Sequence, residues 1–169
     1  MRTIVIVALL LASKLIVAQQ NLIATDKFNI TGKVKKEMQI TLDNLKHYRT
    51  TNLNNVNTSC SPKKEEKTEV VKGVLIKDIL DSVAFAYNSP KELNEFYFVF
   101  VASDGYRLVY SFNEIYNTET GKNLFIALNM DGKDITEMDN RILVLTLSDI
   151  KSGKRNMKGL SEIIVRKAE

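Results

Sequence analysis

Two of the residue types that most often carry chemistry occur once each in this 169-residue chain, as Cys60 and His47. A lone thiolate is a soft metal ligand, but the same residue serves as a free apolar thiol or as half of an intermolecular disulfide. Zinc sites draw on several Cys and His side chains, which one of each does not supply. A Ser-His-Asp triad would have to use His47, and no G-x-S-x-G nucleophile motif is present. His47 itself lies beside an apolar stripe of Leu42, Leu45 and Tyr48, which places it on a helix surface.

The elements that must position any site are read from periodicity. Phe28 to Thr31 alternates apolar and polar residues and ends at Gly32, as a strand and turn do; Met38 to Ile40 repeats the pattern. Thr41 can cap a short helix over 42–48, with Asp43 in its first turn. A strand is expected over 53–57, a mixed-charge solvated loop over 63–67, and a one-faced helix over 74–83 from the spacing of Ile76, Ile79, Leu80 and Val83. Residues 95–102 read as a strand apolar on both faces and therefore central, and Asp104-Gly105 as the turn to a partner strand at Arg107 to Tyr110. Ser111-Phe112-Asn113-Glu114 is a capping box. Strands are expected at 124–129, 141–147 and 163–166. The expected class is α+β, with short helices around a mixed, barrel-like sheet.

The N-terminus reads as an export signal. Arg2 precedes the apolar run Ile4 to Ala12, then come Ser13-Lys14, the apolar Leu15 to Ala18, and Gln19-Gln20. Cleavage is expected after Ala18, leaving residues 19–169 as one domain in the periplasm or outside the cell. The alternative is an uncleaved anchor, but Lys14 interrupts the run, and a central lysine costs about 2.5–3.5 kcal/mol on insertion. Removing residues 1–18 takes away Arg2 and Lys14, leaving 22 basic against 20 acidic residues and a net charge of +2 in place of +4. That balance is too even to favour nucleic acid as a partner, and no membrane span remains after cleavage.

The order of segments resembles the oxidoreductase molybdopterin-binding domain of sulfite oxidase-like enzymes. Ile30-Thr31-Gly32-Lys33-Val34 followed by Ile40 to Leu45 is similar to that family's first strand, turn and helix. Gly73-Val74-Leu75-Ile76-Lys77-Asp78-Ile79-Leu80 resembles its Gly-Val-Pro-Leu-x-Asp-Leu-Leu segment, and Ser103 to Arg107 its Asp-Gly-Tyr hairpin. Asp139 to Val144 stands where the family has Gly-Pro-Leu-Arg-Leu-Val, and Gly153 to Ile163 looks like its closing Lys-Ser-Val-Lys-Trp-Leu-x-x-Ile motif.

The resemblance implies an anionic pterin cofactor, molybdopterin, held by Arg155, Asn156 and Lys158, with Lys154 and Lys151 adding positive field. A turn loosened by Gly153 would aim backbone N–H groups at the anion; the alternative is a solvated basic loop between two strands. Cys60 would bind the molybdenum, though Ser59 and Ser61-Pro62 depart from the family's flanking residues, and the chain has no Trp. An active enzyme would transfer an oxygen atom, with Arg107 at the substrate mouth; the alternative is a merely exposed hairpin arginine. Two further readings stay open: a module that binds a pterin-type or other small anion, or a cofactor-free derivative that binds a protein partner. Export of a folded, loaded enzyme uses a twin-arginine signal, and Arg2 stands alone, which points toward export without cofactor.

Overall fold

The computed structural model describes residues 22–57, 68–139, 141–150 and 154–169. The expected signal segment 1–18, Cys60, Lys151 and Gly153 lie outside the described residues. Among the described residues, no helix is long and apolar enough to cross a membrane.

β1 (Lys27–Gly32) buries Phe28 and Ile30 on one face, and its neighbour β2 (Met38–Thr41) buries Ile40. Gly32 ends β1 at a φ of 89°, and a Cβ there would stand 2.2 Å from the Val165 carbonyl oxygen, so the turn accepts no side chain. Thr41 then caps α1 (Leu42–Lys46): its hydroxyl accepts from the Asn44 amide, and the Asn44 side chain returns to the Thr41 amide. The helix ends at Lys46, two residues before its expected end, and His47, its C-cap, is exposed.

β3 (Thr50–Asn57) and β4 (Thr68–Leu75) pair as an antiparallel hairpin. The helix expected over 74–83 is corrected here. Val74 and Leu75 complete β4, and only α2 (Ile76–Leu80) is helical, burying Ile76, Ile79 and Leu80. A strand with buried residues on both faces offers no period-two signal to separate it from the helix that follows. A 3₁₀ turn at Pro90–Glu95 leads into β5 (Phe96–Ala102), which buries Phe96, Phe98 and Phe100 on one face. The other face, Tyr97, Val99 and Val101, is only partly buried, so β5 is covered on one side rather than two. Each buried Phe contributes about 2 kcal/mol of burial.

β6 (Arg107–Ser111) returns beside β5, followed by α3 (Phe112–Asn117) and the short α4 (Glu119–Lys122), which periodicity did not reveal. The chain closes through β7 (Leu124–Met130), β8 (Lys133–Asp134), β9 (Leu143–Thr146) and β10 (Leu160–Lys167). The first sheet has the order β2-β1-β10-β5-β6, with β1 and β10 parallel and its other pairs antiparallel. The second has the order β3-β4-β7-β8, with β9 also pairing β7. Both are open, so the barrel-like core expected from sequence is corrected to two sheets that end in edge strands. The main core lies between them and joins Phe28, Phe98 and Phe100 of one sheet to Val74, Ile126 and Val144 of the other. A smaller apolar cluster forms around Val71, Ala127 and Leu145.

Candidate functional site

The segment between β9 and β10 carries the basic residues singled out by sequence. Met157 anchors it: the Val144 amide donates to its carbonyl at 2.7 Å, and its own amide donates back at 2.9 Å. The side chain is buried. On the N-terminal side, the Tyr106 hydroxyl donates to the Lys154 carbonyl at 2.8 Å, tying the segment to the β5–β6 hairpin.

Arg155 lies between these anchors, and its guanidinium is turned inward. Its Nε and Nη2 donate to the two carboxylate oxygens of Asp149 at 2.7 and 2.5 Å, and Nη1 donates to Glu114 Oε1 at 3.2 Å. The cation stacks over the Tyr110 ring, 4.9 Å from its centroid. The hydrogen bonds it donates to Asp149 are the main reason its pKa is held above the ordinary value. Glu114 serves a second purpose in the capping box. Its Oε2 accepts from the Ser111 amide at 2.8 Å, while the Ser111 hydroxyl accepts from the Glu114 amide at 3.1 Å. Ser111→Ala is therefore expected to lower stability by about 1 kcal/mol, as the loss of such a cap does, measured by urea denaturation; an unchanged midpoint would show that the cap is dispensable.

Beneath the guanidinium lies a satisfied polar cluster. Thr146 is fully buried; its hydroxyl donates to the Arg155 carbonyl at 2.9 Å, and the Tyr110 hydroxyl lies 2.8 Å from it. The Thr146 amide donates to the Asn156 side-chain oxygen at 3.1 Å. Burial pushes the Tyr110 phenol up to about 12, against the opposing pull of Thr146 and Arg155.

Above the guanidinium is a depression of about 930 Å³, wide open to solvent, whose described lining includes the carboxylates of Glu119 and Asp149 as well as Thr118, Thr120, Ser148 and Lys154. Lys154 and Lys158 are exposed, and neither has an ion-pair partner among the described residues. Arg107 is exposed as well, but alternation along β6 puts it on the opposite face of the strand from Tyr110 and Arg155. The structure thus brings Lys154, Arg155 and Asn156 to one place, sets Lys158 just beyond Met157, and leaves Arg107 apart. The segment holding Cys60 leaves at Asn57 and returns at Thr68, beyond the Val71–Met130 pairing. Arg155 sits near the other end of β7, where Leu124 pairs with Thr146. The seven residues of β7 separate these ends by roughly 20 Å of strand. Among the described residues, no group of three His, Cys, Asp or Glu side chains converges to hold a metal.

No family model matches the chain, and no curated protein matches it. Its α+β fold is similar to that of a solved structure, the crystal structure of the sulfane dehydrogenase SoxCD from Paracoccus pantotrophus. The two share 11% identity with a TM-score of 0.59, over 88% of this chain and 39% of that one. The present chain thus spans about two fifths of the length of that relative, and a likeness at this identity shows the fold alone.

Proposed function

We propose that this chain is an exported derivative of the sulfite oxidase-like molybdopterin-binding domain, in which the cofactor loop has become a structural clasp and the protein works as a non-catalytic binding module. The order of sequence segments and the likeness to the sulfane dehydrogenase fold support the lineage. One observation carries the functional reading: Arg155 is held by two carboxylates of its own chain. An anionic pterin or phosphate arriving there would meet Asp149 and Glu114 beside a cation already neutralised by them. Asn156, the second residue assigned to the cofactor, uses its oxygen on the Thr146 amide. The residues present therefore do not fit the anionic group, and no reaction step is assigned through it. On the outer face of β5 and β6 the exposed Val109 pairs with the half-buried Val99.

Molybdenum content of the protein isolated from its native compartment tests this reading, with Cys60→Ser in parallel. No metal in either is expected. Near-stoichiometric molybdenum in the wild type that is lost in Cys60→Ser would overturn it and restore the oxygen-transfer enzyme. A second reading rests on Lys154 and the hydroxyls of Thr118, Thr120 and Ser148 around the depression: a small anion held without Arg155. Titration with inorganic phosphate, compared with Lys154→Ala, decides that reading.

A further inference from the structure

A second cavity, of about 250 Å³, lies on the other side of α3 from the clasp. Phe85, Leu93, Phe112 and Tyr116 form its apolar side, polar atoms make up about half of its surface, and its charged groups are Asp81 and Lys35. The walls are firmly built. Backbone hydrogen bonds from Lys35 to Ala84 at 2.8 Å and from Ala86 to Lys33 at 2.9 Å fix one side. On the other, the Phe112 and Tyr116 rings stack at 4.2 Å and 14°, with Phe85 meeting Phe112 edge-on at 6.1 Å.

Two features say what chemistry suits this pocket. The Tyr116 hydroxyl is buried, and the polar group it faces is the Asp81 carboxylate, so the two mark one polar corner in the wall. Burial, and then the nearby Asp81 carboxylate, raise its pKa. The corner also already favours an ammonium group. Lys77 Nζ lies 3.4 Å from Asp81 Oδ2 and 5.5 Å from the Tyr116 centroid, over the ring. That contact is long and about half exposed on the Asp81 side, so it leaves the carboxylate open to a better-placed cation.

We propose that this pocket binds a small organic ammonium compound, its apolar or aromatic body against Phe85, Leu93 and Phe112 and its nitrogen between Asp81 and the Tyr116 ring. The volume falls below the roughly 300–1,000 Å³ of sites for drug-sized ligands, which limits the body to about one six-membered ring. A carboxylate in place of the nitrogen would face Asp81 and be repelled there; Lys35 is the one cation in the lining it could meet instead. The site is independent of the clasp, so either assignment can fail without the other.

Benzylammonium is the probe, with benzyl alcohol and benzoate as controls, read as shifts of the backbone amides of Phe85 and Tyr116 in nitrogen-15 NMR. Saturable binding with a Kd of about 1 mM is expected for a ligand of this size, with both controls at least about tenfold weaker. Asp81→Asn should weaken benzylammonium about tenfold and leave benzyl alcohol unchanged, since only the charge-assisted contact is lost. Leu93→Trp, which fills the cavity, should abolish binding. Asp81 is about half exposed, so its variant keeps the fold even if Leu93→Trp does not. The proposal is overturned by an absence of shifts up to ~20 mM, by benzoate binding as tightly, or by an Asp81→Asn protein that binds benzylammonium like the wild type.

Discussion

Arg155→Ala is expected to destabilise the protein by about 3 kcal/mol, the lower end of what removing one partner from a buried ion pair costs. The lower end applies because the Arg155 side chain is 27% exposed and Glu114 38%, so water screens part of the interaction. The loss has three sources: the fork on Asp149, the bond to Glu114, and the stack over Tyr110. Asp149, with its side chain only 16% exposed, is left facing a gap without its cation. Arg155→Lys should recover only part of this, because an ammonium cannot satisfy two carboxylate oxygens in one plane while reaching Glu114. Asp149→Ala made together with Arg155→Ala should cost less than the sum of the two single changes, since the second removes the stranded charge. Urea denaturation of the four proteins measures the coupling. The opposite outcome is equally informative. If Arg155→Ala melts like the wild type but loses an anion that the wild type binds, the guanidinium is a ligand-binding group and the clasp reading fails.

This contrast also shows what kind of information the sequence carried. Arg155 and Asn156 were legible as a polar, basic stretch ahead of a strand, and that stretch does lie beside a surface depression. Nothing local showed where the guanidinium points. One of its acceptors is six residues away and the other forty-one, and only the fold brings Glu114 to it. The Ser111–Glu114 capping box was readable because its spacing is local; the second duty of Glu114 was not. The same division holds for the elements. Alternation gave β1 and β2, and the Asp104-Gly105 turn gave β6, nearly to the residue. Val74 and Leu75, apolar residues running straight into Ile76, read as helix because a buried strand and a buried helix look alike over so short a run. The ammonium pocket left no sequence signal, since Lys35, Asp81, Leu93 and Tyr116 come from four separate segments.

The second large effect is a loss of stability in alkali, centred on Tyr110. This phenol is fully buried, and its pKa is about 12 in the fold against 10.0 ordinarily. A raised pKa means that the fold favours the neutral form. The stabilisation is therefore complete below pH 10, declines as the unfolded chain begins to ionise, and is exhausted above about pH 12. Two pKa units correspond to about 2–3 kcal/mol. Tyr116 and Lys167 also have raised values and pull in the same direction, so the wild-type curve alone does not isolate the group. Tyr110→Phe does. At neutral pH it should be less stable by about 1 kcal/mol, because the contact with Thr146 is lost while the Thr146 bond to the Arg155 carbonyl stays. Toward pH 12 the variant has no phenolate to bury, and its stability should fall less steeply. The two curves should cross between about pH 10 and 12. Parallel curves would show that the polar cluster opens and hydrates the phenolate before the protein unfolds. The clasp above it would then be a mobile loop rather than the fixed element that the bonds of Arg155 imply.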